Sequence, residues 1–111
     1  MKPPLFIALF AALAASCSDG GVTLTVHNVG DQSLVAPIVH VTGNSYRIGD
    51  LQPGQTKSVV VNSSGESHIE IEQTNHPRLV ANCYFEPGYK GQIEVDVTAD
   101  AIIKVKCDVK I

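Results

Sequence analysis

Val22-Thr23-Leu24-Thr25-Val26-His27-Asn28 is the stretch on which the fold turns. Its apolar residues at 22, 24 and 26 alternate with Thr23, Thr25 and His27. Successive side chains of a strand point to opposite faces, so this pattern describes a strand with one buried side. Toward the C-terminus the same period of two returns again and again. Asn28-Val29-Gly30-Asp31 turns the chain, and residues 34–41 read as a second strand. Pro37 lies inside that strand and cannot donate to a ladder, which marks it as an edge strand or a bulge. Thr42-Gly43-Asn44-Ser45 is a turn before a short third strand at 46–48. In Leu51-Gln52-Pro53-Gly54 the proline and glycine suit the central positions of a type II turn. Five further strands are expected at 57–62, 67–72, 78–85, 92–98 and 102–109, each bounded by Ser-, Pro-, Gly- or Asp-containing turns. No stretch after residue 22 holds a helical period, and short strands at about ten-residue spacing read as a sandwich or a barrel.

The cysteines constrain how those strands lie. Leu79, Ala81, Cys83 and Phe85 share one face of the sixth strand; Ile103, Val105, Cys107 and Val109 share one face of the eighth. Both thiols therefore point into one core, as a structural bridge requires. Bridged Cα atoms sit about 4.4–6.8 Å apart, whereas strands separated by one neighbour sit about 9.6 Å apart. The last three strands cannot be a flat meander with the seventh in the middle. Either the sixth and eighth are neighbours, or they face each other across two sheets. Both are Greek-key arrangements, and an all-β sandwich of seven or eight strands fits best. A bridge closing a loop of about 25 residues should add about 3 kcal/mol, which matters because a domain this small buries only about 60–65% of its unfolded surface.

Toward the N-terminus the reading changes. Residues 1–17 are MKPPLFIALFAALAASC, with one lysine and an unbroken apolar run over 5–15. Eleven helical residues rise about 16 Å, half of a hydrocarbon core near 30 Å, so the run has the length of a signal-peptide core and not of a membrane span. Leu13-Ala14-Ala15-Ser16-Cys17 resembles the lipobox of bacterial lipoproteins, with Ala14 where leucine is commonest. That resemblance implies cleavage before Cys17 and acylation of its thiol and its new N-terminus. Ordinary signal-peptidase cleavage near residues 14–16, freeing a soluble protein, is the competing reading. The chain has three cysteines. Once Cys83 and Cys107 pair, Cys17 would be a loose thiol in an oxidising compartment, and lipidation gives it another fate. Several acyl chains hold a protein to a bilayer where one would not. Ser18 after the cysteine, by analogy with lipoprotein sorting, points to the outer membrane, with the domain in the periplasm.

The expected organisation is thus a leader at 1–16, a lipidated cysteine and tether at 17–21, and one β-sandwich domain at 22–111. The four residues 18–21 extend at most about 14 Å, which keeps the domain against the membrane. Without Lys2 the chain carries seven Lys and Arg against eleven Asp and Glu, a net charge of −4. With no basic cluster, it lacks the footprint that nucleic acid needs.

Val22-x-x-x-Val26-x-Asn28-x-Gly30, Val39-x-Val41, Ile48-x-x-Leu51-x-Pro53-Gly54 and Val59-x-Val61 together resemble bacterial immunoglobulin-like domains of the cell-adhesion-related type. The resemblance covers about forty residues of turn and core chemistry and implies an immunoglobulin-like sandwich. The half of the chain that carries Cys83 and Cys107 departs from that pattern. Domains of this kind are mostly binding or spacing modules, and fold alone does not choose a function.

No catalytic constellation stands out. Ser63, Ser64 and Ser67 lack a nucleophile elbow and suit a serine-rich hairpin. His68, Glu70 and Glu72 share an outward face but lie nearly 7 Å apart along the strand, too far for one ion to collect, so they read as a solvated face and no metal or cofactor is implied. His27 and His40 read as surface or half-buried, and His76 as a turn residue. The feature that points to binding is aromatic: Tyr84 outward beside Phe85, Tyr89 just past Pro87-Gly88, and Tyr46 as a third member. Exposed tyrosines are favoured at interfaces, while the alternative is that they close the sandwich edge as in a tyrosine corner. The expected function is a membrane-anchored, non-catalytic module that binds an envelope protein, using an edge strand such as residues 34–41. The alternative is a periplasmic inhibitor or immunity protein that inserts the loop at 85–91 into an enzyme. A small hydrolase comes third, and would need a pocket of convergent polar groups.

Overall fold

A computed structural model describes residues 21–111. The leader at 1–16, Cys17 and the tether residues Ser18, Asp19 and Gly20 lie outside the described residues. Eight strands follow one another: β1 (Val22–Asn28), β2 (Ile38–Val41), β3 (Asn44–Arg47), β4 (Thr56–Val61), β5 (Ser67–Glu72), β6 (Leu79–Phe85), β7 (Lys90–Val97) and β8 (Ile102–Lys110). They form two four-stranded sheets, ordered β4-β1-β7-β8 and β3-β2-β5-β6. Chain neighbours are often not sheet neighbours, since β1 lies between β4 and a parallel β7, and β2 lies beside β5. The arrangement is an all-β sandwich consistent with an immunoglobulin-like Greek key.

The alternating residues do what their period demands. Val22, Leu24 and Val26 from β1 and Ile93, Val95 and Val97 from β7 meet Ile69 and Ile71 from β5 and Phe85 from β6, all buried in one core. At about 25 cal/mol per Å² of apolar surface, burying each such side chain contributes roughly 1.5–3 kcal/mol. Cys83 and Cys107 are bridged, with Cα atoms 5.6 Å apart. Of the two arrangements the spacing allows, the second holds: β6 and β8 edge opposite sheets and pack together across the sandwich.

Three local expectations are corrected. The second strand starts at Ile38, not at residue 34, and it is an interior strand between β3 and β5. Pro37 precedes it and weakens no ladder; its carbonyl accepts from the Ile48 N–H at 3.3 Å. An interior strand has no free edge to offer, so residues 34–41 cannot take a partner by strand addition. The short third strand runs over Asn44–Arg47, set two residues earlier by the tight turn at Gly43, where φ is +86°. In β8, a bulge opposite Asp96 and Val97 shifts the register. Ile102 therefore packs on the core with Val105 and Val109, while Ile103 is 58% exposed.

The strand directions give the sandwich two unlike ends. Val22 at the start of β1 pairs with Val61 at the end of β4 and with Gly91 near the start of β7. The chain therefore enters at the end that holds the turns 42–43, 62–66 and 86–89. The opposite end carries the longer connections 29–37, 48–55 and 73–78 together with the turn 98–101.

Candidate functional site

The outer face of the second sheet carries a chain of polar contacts. His40, His68, Glu70 and Glu72 point outward because they alternate with the buried Val39, Val41, Ile69 and Ile71. His40 holds Ser45 Oγ through Nδ1 at 2.8 Å and Glu72 Oε1 through Nε2 at 2.7 Å. Arg78, in the connection after β5, donates to Glu72 at 3.1 Å and to Glu70 at 3.0 Å. His68 closes the row on Glu70 at 2.7 Å. Hydrogen bonds from Arg78 and then His68 hold the Glu70 carboxyl below its ordinary range. The His40 bond, with the Arg78 charge behind it, does the same for Glu72. A shallow depression of about 220 Å³ lies alongside, lined by Thr42 and Ser67 as well as by the row itself. Both carboxylates are engaged by neighbours on their own sheet, so the row stiffens a solvated face. Among the described residues, no three His, Cys, Asp or Glu side chains converge closely enough to hold a metal ion. On the other sheet's outer face Thr25 bonds Ser58 at 2.8 Å, and His27 approaches Asp96 at 3.4 Å.

The aromatic residues separate. Tyr84 and Tyr89 form an edge-to-face pair with centroids 6.4 Å apart. Tyr84 is 49% exposed, and its hydroxyl donates to the Glu86 carboxylate, which pushes the phenol's pKa up. Tyr89 is half-buried against the core. Tyr46 does not join them. It sits on β3, the far edge of the same sheet, where its hydroxyl donates to the Asn62 carbonyl at 3.2 Å and accepts from the Asn62 N–H at 2.9 Å. That is the edge-closing role of a tyrosine corner. Phe85 is only 1% exposed and belongs to the core, so it is not a contact residue. Its partners on β6, Leu79, Ala81 and Cys83, already share its inward face.

Three polar residues that the sequence reading did not single out organise the rest. Arg78 is the cation that joins Glu70 to Glu72. Asn28 is fully buried at the end opposite the chain entry. Its Nδ2 donates to the carbonyls of Gln32 at 2.8 Å and Leu51 at 2.9 Å, and its Oδ1 accepts from Gly30 N–H at 2.9 Å. It thereby ties the connection 29–37 to the connection 48–55. A second clamp holds Ala36, whose φ of +47° is left-handed, through its N–H on the Asp50 carboxylate at 2.7 Å. The asparagine of Asn28-Val29-Gly30 was the available signal, but a turn asparagine ordinarily bonds within its own turn.

Ser63 lies at the other end. It is buried, and its Oγ has no partner among the described residues. It lines a recess of about 100 Å³ formed by Gly21, Val22, Val61, Phe85, Pro87 and Tyr89. Comparison with protein-family models, with curated proteins and with solved structures finds no match for this chain.

Proposed function

We propose that this chain is a non-catalytic protein-interaction module of the bacterial envelope. In this reading it is exported by the leader at 1–16, acylated at Cys17, and held with its domain in the periplasm, on the outer membrane. The observation that carries the reading is the asymmetry of the two ends. The chain enters beside short turns, and the opposite end bears connections of nine, eight and six residues. Loops on a rigid scaffold are where binding residues concentrate. Here the two longest are fixed by Asn28 and Asp50, and they expose Val29 and Val35 at 43% and 57%. A rigid loop loses little entropy on binding, which favours affinity. The outer face of the β3-β2-β5-β6 sheet engages its own charged groups in the row from His40 to His68, whereas the distal loops hold exposed apolar side chains on a braced backbone. The inhibitor reading gains no comparable support, because its loop at 85–91 begins with a buried phenylalanine and sits beside the chain entry.

The test is in-cell photo-crosslinking from position 35, with position 60 on a sheet face as the control. One stoichiometric envelope protein captured from 35 and not from 60 supports the reading. Equal capture from both, or only abundant envelope neighbours, removes the distal loops as a dedicated binding surface.

A further inference from the structure

We propose that the free edge of β4 pairs with the β4 edge of a second copy of this chain, joining two four-stranded sheets into one of eight strands. The pairing involves only described residues and stands apart from acylation of Cys17. Four strands end a sheet: β4, β8, β3 and β6. An edge strand carries unpaired backbone groups that invite another strand, and folds blunt such edges with lysines, bulges, shortness or cover. Three of the four are blunted. β8 carries Lys104, Lys106 and Lys110, and Ile103 is left over where its register shifts. In β6, residues 82–84 stand opposite His68 alone, and the Cys83–Cys107 bridge closes that edge against β8. β3 is four residues long and ends on the exposed Arg47. β4 has none of these devices. Its six residues keep an unshifted register with β1. Its one charge, Lys57, alternates with the exposed positions and sets its ammonium on the Ile48 carbonyl at 3.2 Å.

The ladder decides which backbone groups are free. Asn28 N–H donates to the Gln55 carbonyl at 3.0 Å, and bonded pairs alternate with non-bonded ones along an antiparallel ladder. Lys57, Val59 and Val61 therefore turn their backbone groups to β1, while Thr56, Ser58 and Val60 turn theirs away from it. Those three residues are exposed, and no partner for their N–H and C=O groups stands among the described residues. The next outward residue, Asn62, is already held, because the Tyr46 hydroxyl takes its N–H at 2.9 Å and its carbonyl at 3.2 Å. The open stretch is centred on Ser58, and a two-fold axis there sets Ser58 opposite Ser58 and Thr56 opposite Val60. Every free group then pairs, with two bonds at Ser58 and two at each Thr56–Val60 pair. Lys57 falls opposite the other copy's Val59, so the two ammonium groups stay apart. A charged partner strand would find no opposite charge at the outward positions of β4. A copy standing alone keeps one end toward its anchor. In the pair the chain entries lie at opposite ends of the joined sheet, so two copies tethered to one bilayer pair with the two-fold along its normal.

The test recovers one tagged copy of the full chain through a second, differently tagged copy expressed with it. Wild-type copies should be recovered together. Ser58→Lys in both copies sets like charges face to face, as does Ser58→Glu in both, and each should cut recovery severalfold. Ser58→Lys in one copy with Ser58→Glu in the other places opposite charges across the two-fold and should restore it. Position 58 is exposed, so every variant should unfold close to the wild-type temperature, which separates lost pairing from lost folding. A crosslink from position 60 is then a homodimer, told by its mass from a captured envelope protein. Wild-type copies that are not recovered together overturn the proposal. Recovery that both like-charged combinations leave intact assigns the contact to another surface and overturns it too. A mixed combination no better than the like-charged ones removes the two-fold at Ser58.

Discussion

Asn28→Ala tests whether one buried amide holds the distal end together. The substitution deletes three hydrogen bonds, to Gln32, Leu51 and Gly30. The Leu51 bond is buried and should contribute about 1 kcal/mol, while the two part-buried bonds contribute about 0.5 kcal/mol each. The Leu51 carbonyl keeps its other donor, the Leu34 N–H at 2.9 Å, so no acceptor there is orphaned. The expected loss is about 2 kcal/mol, or roughly 8–16 °C in Tm for a domain of this size. Asn28→Asp keeps the shape but turns a carboxylate oxygen toward two carbonyl oxygens. It should cost more than the alanine at neutral pH. Burial and those carbonyls raise the new carboxyl's folded pKa above its unfolded value, so its extra cost is present above the folded pKa and fades as the pH falls toward the unfolded one. The assay is urea unfolding with an unchanged m-value, run for both variants across the acid range. An alanine variant within about 0.5 kcal/mol of wild type would refute the bracing role. So would an Asp–Ala gap that does not close in acid.

Reducing Cys83–Cys107 should lower stability by about 3 kcal/mol, read as the shift in urea midpoint with and without reductant. No shift would mean that packing alone joins β6 to β8. Arg78→Gln should flatten the acid limb of stability. Because the Glu70 and Glu72 carboxyls titrate below 4.5 in the folded protein, their contribution is present above that pH and lost as the pH falls through their folded values. An acid limb identical to wild type in a pH series of unfolding curves would contradict this. Gly91→Ala should be far worse than Gly54→Ala, though both glycines have left-handed φ, +128° and +82°. A Cβ at 91 would press on the Asp108 carbonyl and stand 3.0 Å from Val109 Cα, whereas one at 54 meets nothing within 4 Å. The Gly54 variant should lose about 1–2 kcal/mol and the Gly91 variant more, compared by thermal unfolding.

What the sequence made legible was whatever alternation alone decides. The expected strand at 67–72 coincides with β5, because Ile69 and Ile71 alternate with charge between clear breakers. The bridge was legible through distance, since only two arrangements could bring the thiols within reach, and one of them is present. The misses depend on partners far away in sequence. Leu34-Val35-Ala36-Pro37-Ile38 is a nearly continuous apolar run that reads as strand. Leu34 instead makes a lone bridge to Leu51, and Ala36 is turned left-handed by Asp50, fourteen residues on. Ile103 faces outward because of a bulge that exists only once β8 has a register with β7. Asn28 looked like a local turn former, yet its deepest bond reaches 23 residues to Leu51. Phe85 is the reverse case, since the period-two pattern of 79, 81, 83 and 85 already turned it inward and only its place beside Tyr84 suggested a contact role.

In the proposed function, acylation of Cys17 would make one end of the sandwich proximal to the membrane and the other distal. Growth with labelled palmitate, comparing wild type with Cys17→Ala, tests it directly. The account predicts label on the wild-type protein, recovered in the membrane fraction, and none on the alanine variant. Equal labelling of the two, or an unlabelled and soluble wild-type protein, would contradict it.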